Sequence, residues 1–514
     1  MEKASSLSRG IMAHALINAY SQPIQSTFIG EFLKTTTQIQ AFAKKFAKQL
    51  TDENVAIFAG AGLSASVGFA DWGELLAPFA KEINLNIAKE KDHLVRLAQY
   101  SQNHKQGNRH HLNEALITAF PVLKSPSENH EILARLPIKT YWTTNYDKLI
   151  ETALRNESKI IDVKHEDSQL PNSTARRDAV VYKMHGDVEH PGKAVLTRDD
   201  FENYSKNHGG FLNALTGDLT GKTFLFLGFS FADPNLEQVL SQMRQRFVES
   251  QREHFAVLRK PKRDDFKNEA DFIYAEFGQT HYIKDLARYN VTVLEIDEYH
   301  EVTEILTKIE QFYRRKSIFI GGSAEDFSPW NEAIANNFFY NLGGMLVHQG
   351  FRIVSGFGLG IGNSLISGAI DRAYSMGNYH LDDFLDVRPF PRNIVDPARR
   401  AEIWSAYRKD LLTLPGIAIF LFGNKKVNEK IVTADGVQKE FDIAINQNVL
   451  VIPVGGTGSM AKKLGEQVLK NFDSYFKNND VLIKNDLIAL QISHENLNNY
   501  LDEILAIIKK LSDH

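Results

Sequence analysis

The sequence predicts an α/β protein built from two consecutive doubly wound parallel sheets, and three observations carry that reading. Short runs such as Val55–Ala59, residues 224–227 and Ile417–Phe422 are apolar throughout, as parallel strands covered on both faces must be. Each run ends in a glycine or a polar turn and leads into a helical pattern, the alternation that builds βαβ units. After residue 316 the alternation starts afresh, so a single sheet does not account for the chain.

Taken in order, the first helix carries Ile39, Phe42, Phe46 and Leu50 at helical spacing, a stripe that faces a core. The Val55–Ala59 strand runs into Gly60, Ala61, Gly62 and Ser64. Two glycines there remove Cβ where a backbone turns sharply and approaches a phosphate, and Ser64 adds a hydroxyl donor. Such turns are also ordinary punctuation between strand and helix. Residues 138–143 read as the next strand, with Asn145 and Asp147 at its end. The same pair fits a helix N-terminus, Asn145 as the cap and Asp147 in the first turn. Residues 180–184 form a strand that ends in His185, Gly186 and Asp187. Thr223–Leu227 then leads to Gly228 and Ser230, with Asp233, Pro234 and Asn235 as a turn before a helix.

A helix through Ile305, Ile309 and Phe312 precedes the basic break Arg314, Arg315 and Lys316, where a new strand begins. The expected organisation is an extension over 1–35, a first domain over 36–313 and a second over 317–514. In the second, residues 351–354 feed the glycine-rich turn from Ser355 through Gly358 to Gly362, and Ile417–Phe422 and residues 449–452 supply further buried strands.

Composition narrows the possibilities. The chain has 514 residues with 59 basic and 63 acidic side chains, a formal net charge of -4, which gives no global attraction to nucleic acid or to a membrane surface. Cys 0 excludes disulfides and any thiolate metal site, and no metal site is expected. No apolar run reaches the ~20 residues of a spanning helix, and the N-terminal stretch lacks a signal-peptide core, so a cytoplasmic protein is expected.

The order of motifs over residues 36 to about 300 resembles the sirtuin superfamily: a Gly-Ala-Gly-x-Ser loop, an Asn-x-Asp segment, a His-Gly and a Gly-x-Ser. The absence of cysteine departs from the zinc module of protein-deacylating sirtuins. So does Gly68-Phe69-Ala70-Asp71-Trp72, which stands where deacylases carry Gly-Ile-Pro-Asp-Phe-Arg. The second half resembles the SLOG family of nucleotide-ligand sensors, with Ala434 to Glu440 in place of the full hydrolytic signature. The two halves together resemble the NAD-consuming effectors of bacterial Thoeris anti-phage systems.

That resemblance implies cleavage of NAD to nicotinamide and ADP-ribose, NAD being substrate and not a retained cofactor. It makes Asn145 and His185 the catalytic pair and places Ala59, Gly60, Ala61, Gly62, Ser64, Asp71, Asp147, Gly228 and Ser230 around the dinucleotide. It also implies that a TIR-domain partner makes a cyclic ADP-ribose isomer, bound in the second domain by Arg408, Lys425 and Glu440 with Gly321, Ser323, Ser355 and Gly358 as phosphate-facing loops. Arg388 and Arg392 are further cationic candidates. A homotetramer is implied as the assembly. Chemically, Asn145 can hydrogen-bond a ribose hydroxyl or water, and an imidazole with an ordinary pKa near ~6.5 suits His185 to accept a proton. An NAD-dependent protein deacylase and a non-catalytic nucleotide sensor remain the alternatives.

Overall fold

The computed structural model describes residues 27–87, 94–229, 231, 233–246, 251–377, 380–391, 393–476 and 481–513. Residues 1–26, most of the expected extension, lie outside them, and from Thr27 the chain is helical as Thr27–Thr51.

The first sheet holds seven strands: β1 (Val55–Ala59), β2 (Thr140–Thr143), β3 (Ile161–Lys164), β4 (Ala179–Lys183), β5 (Thr223–Leu227), β6 (His254–Arg259) and β7 (Val291–Ile296). Their spatial order is β3-β4-β2-β1-β5-β6-β7, and each neighbouring pair is parallel. From β1 the chain builds outward first through β2 and later through β5, so the sheet reverses direction at its centre. Ligands of open α/β sheets lie beyond the carboxyl ends at such a reversal.

Strand alternation sorts the core into layers. Val55, Ile57, Leu225 and Leu227 face Ile39, Phe42, Phe46, Leu50 and the stripe Ile305, Leu306, Ile309 and Phe312. Ala56, Phe58, Phe224 and Phe226 face the opposite layer with Trp142, Phe211, Leu215 and Leu236. Both layers exclude water, and each fully buried Phe or Leu contributes about 1.5–3 kcal/mol through the area it removes from solvent. A helical lobe inserted between β1 and β2 has its own core, in which Leu76, Leu97, Leu112, Leu116 and Phe120 pack on Tyr146, Leu149 and Val188. The turns after β2 and β4 are thereby roofed.

The second sheet comprises β8 (Ser317–Ser323), β9 (Arg352–Ser355), β10 (Leu385–Val387), β11 (Ile417–Phe422) and β14 (Leu450–Val454), in the order β10-β9-β8-β11-β14 and again parallel. A separate antiparallel hairpin joins β12 (Asn424–Val427) to β13 (Lys430–Thr433). The helix His300–Arg314 packs its stripe in the first domain, while its last side chain enters the second. Arg314 donates to the carbonyls of Leu412 at 3.3 Å, Pro415 at 3.1 Å and Gln447 at 3.2 Å. Among the described residues no helix is long and apolar enough to cross a membrane.

Candidate functional site

The four motifs of the first domain meet along one sheet edge. Ala59 is in register with Thr143 on β2 and with Leu227 on β5, and Thr143 is in register with Lys183 on β4. Gly60, Asn145, His185 and Gly228 therefore emerge from four consecutive strands at the same level. Asn145 and His185 each stand two positions past a matched pair.

The glycines are used differently from expectation. A Cβ on Gly60 would lie 2.4 Å from the Gly228 carbonyl oxygen, one on Gly62 would lie 2.7 Å from Gly228 Cα, and one on Gly228 would meet the Leu63 nitrogen at 2.2 Å. Gly228 also takes a φ of +61°, in the left-handed region that favours glycine. The amides of Gly60 and Gly62 donate to Leu227 and Gly228 carbonyls, both at 2.9 Å. These glycines seat the β1 turn directly on the β5 turn, and that packing alone demands them.

Asn145 is 8% exposed, and its side chain is pinned. Its Nδ2 donates to the Gly60 carbonyl and to Ser64 Oγ, each at 2.9 Å, and Ser64 Oγ donates onward to Asp147 Oδ2 at 2.7 Å. A carbonyl only accepts, so the atom facing Gly60 must be the amide nitrogen. Both amide hydrogens are consumed, and among the described residues no hydrogen bond reaches Asn145 Oδ1. The Ser64 hydroxyl is likewise spent inside the network. Asp147 Oδ1 caps the following helix, Leu149–Asn156, through the Leu149 amide at 2.9 Å, whereas Asn145 does not cap it.

His185 is buried in an aromatic enclosure, with its ring centre 5.3 Å from Phe201, 6.1 Å from Trp72 and 6.4 Å from Tyr146. Its Nε2 lies 2.7 Å from Asp233 Oδ2, a close contact that is not aligned as a hydrogen bond, and its Nδ1 has no partner among the described residues. Burial alone would raise the Asp233 carboxyl, but facing His185 and the amides of Leu236 and Asn235 outweigh it and hold it below the usual range.

Beneath both turns lies Lys183, fully buried. Its ammonium donates to Glu151 Oε1 at 3.0 Å and to the carbonyls of Tyr146 (3.2 Å) and Asp147, and it pairs with Asp187 Oδ2 at 2.9 Å. Burial by itself would lower its pKa, but Glu151, Asp187 and Asp147 reverse the direction and keep it above the ordinary value. Lys148 adds a second cation 2.8 Å from Asp187.

Of the expected dinucleotide residues, Asp71 takes no part in this network. Asp71 is exposed and caps the helix Trp72–Glu82 through the Glu74 amide at 2.7 Å, so its carboxylate already serves the helix N-terminus. Ser230 lies outside the described residues. Among the described residues no group of three or more His, Asp or Glu side chains is gathered for a metal ion.

The second domain contains a cleft of about 930 Å³ at the carboxyl edge of its sheet. Gly321, Ser323, Gly358, Arg408, Lys425 and Glu440 all line it. Ser355 does not: it is buried behind the wall, where its Oγ accepts from the Phe357 amide at 3.2 Å. Arg388 is committed to Asp386 and Asp410, both at 2.8 Å, and Arg392 lies outside the described residues. The Arg408 guanidinium lies over Phe390 at 4.9 Å and Trp404 at 5.7 Å, with its Nε 3.5 Å from Glu440 Oε1. Burial pushes the Glu440 carboxyl up to about 7 against the pull of Arg408. An aromatic wall, cations and a carboxylate in one cleft suit a base and a phosphorylated sugar.

Comparison with known proteins agrees with both halves. The family described as SIR2-like domain matches residues 139–294, and the Sir2- and TIR-associating SLOG family matches residues 301–511. The NAD(+) hydrolase ThsA of Bacillus cereus (strain MSX-D12) is 45% identical over 479 residues, spanning 93% of this chain and 100% of that protein. The chain belongs to the ThsA family of NAD(+) hydrolases. The ThsA of Acinetobacter baumannii (strain 532279) is also 45% identical, over 91% of this chain and 97% of its own length. Defense-associated sirtuin 2 of Bacillus subtilis is 26% identical over 254 residues, or 48% of this chain.

Sequence reasoning did not assign Lys183, Glu151, Asp187 or Asp233 to the site, nor Phe390 and Trp404 to the second cleft. One signal was available: a lysine inside the apolar run of β4 has to find buried carboxylates. Asp233 offered none, because an acid before a proline reads as a turn.

Proposed function

We propose that the chain hydrolyses NAD to nicotinamide and ADP-ribose when a cyclic ADP-ribose isomer, supplied by a TIR-domain partner, occupies the second-domain cleft, and that this depletes NAD during phage infection in the cytoplasm. The observation that carries the reading is that Asn145 and His185 leave neighbouring strands at the same level of the edge where the sheet reverses, with Asn145 Oδ1 left free by the bonds of its amide nitrogen. The four relatives named NAD(+) hydrolase ThsA support the substrate, and the SLOG family description supports the TIR association. A homotetramer is the assembly in which the two domains communicate.

The nicotinamide–ribose bond breaks heterolytically, nicotinamide leaving with the bonding electrons and positive charge developing at the anomeric carbon. The site's work is to hold that carbon and a water in line. Because its amide hydrogens are tied to Gly60 and Ser64, Asn145 acts through Oδ1 alone, accepting a hydrogen bond from the water or a ribose hydroxyl. His185 takes the proton that the water releases as its oxygen bonds to carbon. Asp147, held by Ser64, fixes the loop and takes no proton. The roof of Trp72, Phe201 and Tyr146 excludes competing solvent.

Purified protein incubated with NAD and a panel of cyclic ADP-ribose isomers is expected to release nicotinamide and ADP-ribose in equal amounts with at least one isomer. Substituting His185→Ala or Asn145→Ala should lower kcat by at least about a hundredfold. NAD binding without turnover under every isomer would establish a sensor instead.

A further inference from the structure

Among the described residues, the carboxylate that meets His185 comes from the turn after another strand. Asp233 stands after β5, where its Oδ1 accepts from the amides of Asn235 at 2.8 Å and Leu236 at 3.0 Å and so opens the helix Pro234–Arg246. Those two bonds fix the carboxylate, and its free oxygen, Oδ2, consequently faces His185 Nε2 at 2.7 Å. A helix cap alone requires no charge, since Ser or Asn serves as well. It requires no burial either, yet this side chain is 6% exposed and the imidazole 5%. A buried carboxylate oxygen is costly without a cationic or hydrogen-bonding partner, and Oδ2 has no hydrogen-bond partner among the described residues, which leaves the imidazole beside it as the group placed to compensate its burial.

We infer that Asp233 is the positioning residue of His185: one oxygen holds the helix, and the other holds the imidazole and fixes which of its nitrogens is left for the substrate. With Nε2–H directed at the carboxylate, the lone pair resides on Nδ1, the buried nitrogen without a partner among the described residues. The contact is close but not aligned, and in ligand-free sites such contacts straighten when substrate fills the cavity. The inference rests on the hydrolase reading for its reaction, and on the contact geometry for its residue.

Asp233→Ser and Asp233→Asn separate the two duties, because both side chains still cap a helix while neither presents an anion to the ring. In the Asp233→Asn variant the amide nitrogen also donates toward Nε2 and favours the Nδ1–H form. In the full chain, with saturating NAD and whichever cyclic ADP-ribose isomer gives the highest wild-type rate, Asp233→Ser is expected to lower kcat at least about tenfold and Asp233→Asn about a hundredfold or more. KM and melting temperature should stay near wild type, and adding either change to His185→Ala should cause no further loss. Wild-type kcat in both variants beside an inactive His185→Ala overturns the proposal, as does a further loss in the double variants. If the wild type itself releases no nicotinamide, the hydrolase reading fails separately. The tautomer of nitrogen-15-labelled His185 then decides: Nε2–H in wild type changing to Nδ1–H in Asp233→Asn supports the positioning role, and an unchanged tautomer refutes it.

Discussion

A buried carboxylate, Glu440, lines the cleft of the second domain, and a buried amide, Asn145, ends a strand of the first. Glu440 is held neutral to about pH 7 by burial, although Arg408 stands beside it. The folded protein thus binds a proton there that the unfolded chain, with an ordinary Glu near 4.5, has already lost. Stability from this group is greatest below about pH 4.5, falls as pH rises, and levels off above about 7. The melting temperature of Glu440→Gln relative to wild type is therefore expected to be more favourable at pH 8 than at pH 5.5, as read by thermal denaturation. Any offset from removing the partner of Arg408 is common to both conditions. A difference independent of pH would place an ionised Glu440 in the folded cleft. Asn145 illustrates how much of a residue is legible in a sequence: its place at a strand end is, but the direction of its amide is not. That direction is set by the Gly60 carbonyl, which belongs to a turn 85 residues away. Ser64 was legible as a hydroxyl near the dinucleotide loop, yet Asp147 captures it, and no local pattern reports a bond across 83 residues.

Strand β4 does more than extend the sheet. Its last residue, Lys183, reaches the Tyr146 and Asp147 carbonyls after β2 and the Asp187 carboxylate beyond β4, so one side chain fastens both turns that carry Asn145 and His185. Replacing it by Met leaves Glu151 and Asp187 buried with less compensation, although Lys148 still pairs with Asp187. Lys183→Met is expected to destabilise the protein by about 3–5 kcal/mol in urea unfolding, with activity lost in the folded fraction too. A change under about 1 kcal/mol would mean that the cluster carries little of the load. The same contrast explains which strands could be read. The central β1, β5 and β11 are buried at every position and declare themselves as apolar runs. The edge strand β3 mixes buried and half-exposed residues, β7 adds the exposed Thr292 to such a mix, and β10 is half-exposed throughout, so their sequences carry no comparable signal.

In the molecule as a whole, the chain passes from the first sheet to the second through the helix His300–Arg314. His300–Arg314 is core to the first domain, and Arg314 closes on the carbonyls that end the helices Pro397–Leu411 and Asp435–Asn446, the carriers of Arg408 and Glu440. A ligand that shifts those helices consequently acts on a side chain rooted in the first domain. A regulatory signal needs two states of unequal affinity, and this joint is where they would differ. The two-sheet architecture was readable from alternation alone, while the joint was not, because Arg314 appears in sequence only as part of a basic break. The most direct test of the account is a structure of the full-length His185→Ala protein with NAD and an activating cyclic ADP-ribose isomer. It is expected to place a water on Asn145 Oδ1 at about 2.8 Å and about 3–3.5 Å from the anomeric carbon, with nicotinamide under Trp72 and Phe201. NAD bound only in the second-domain cleft, or with its anomeric carbon remote from Asn145, would contradict it.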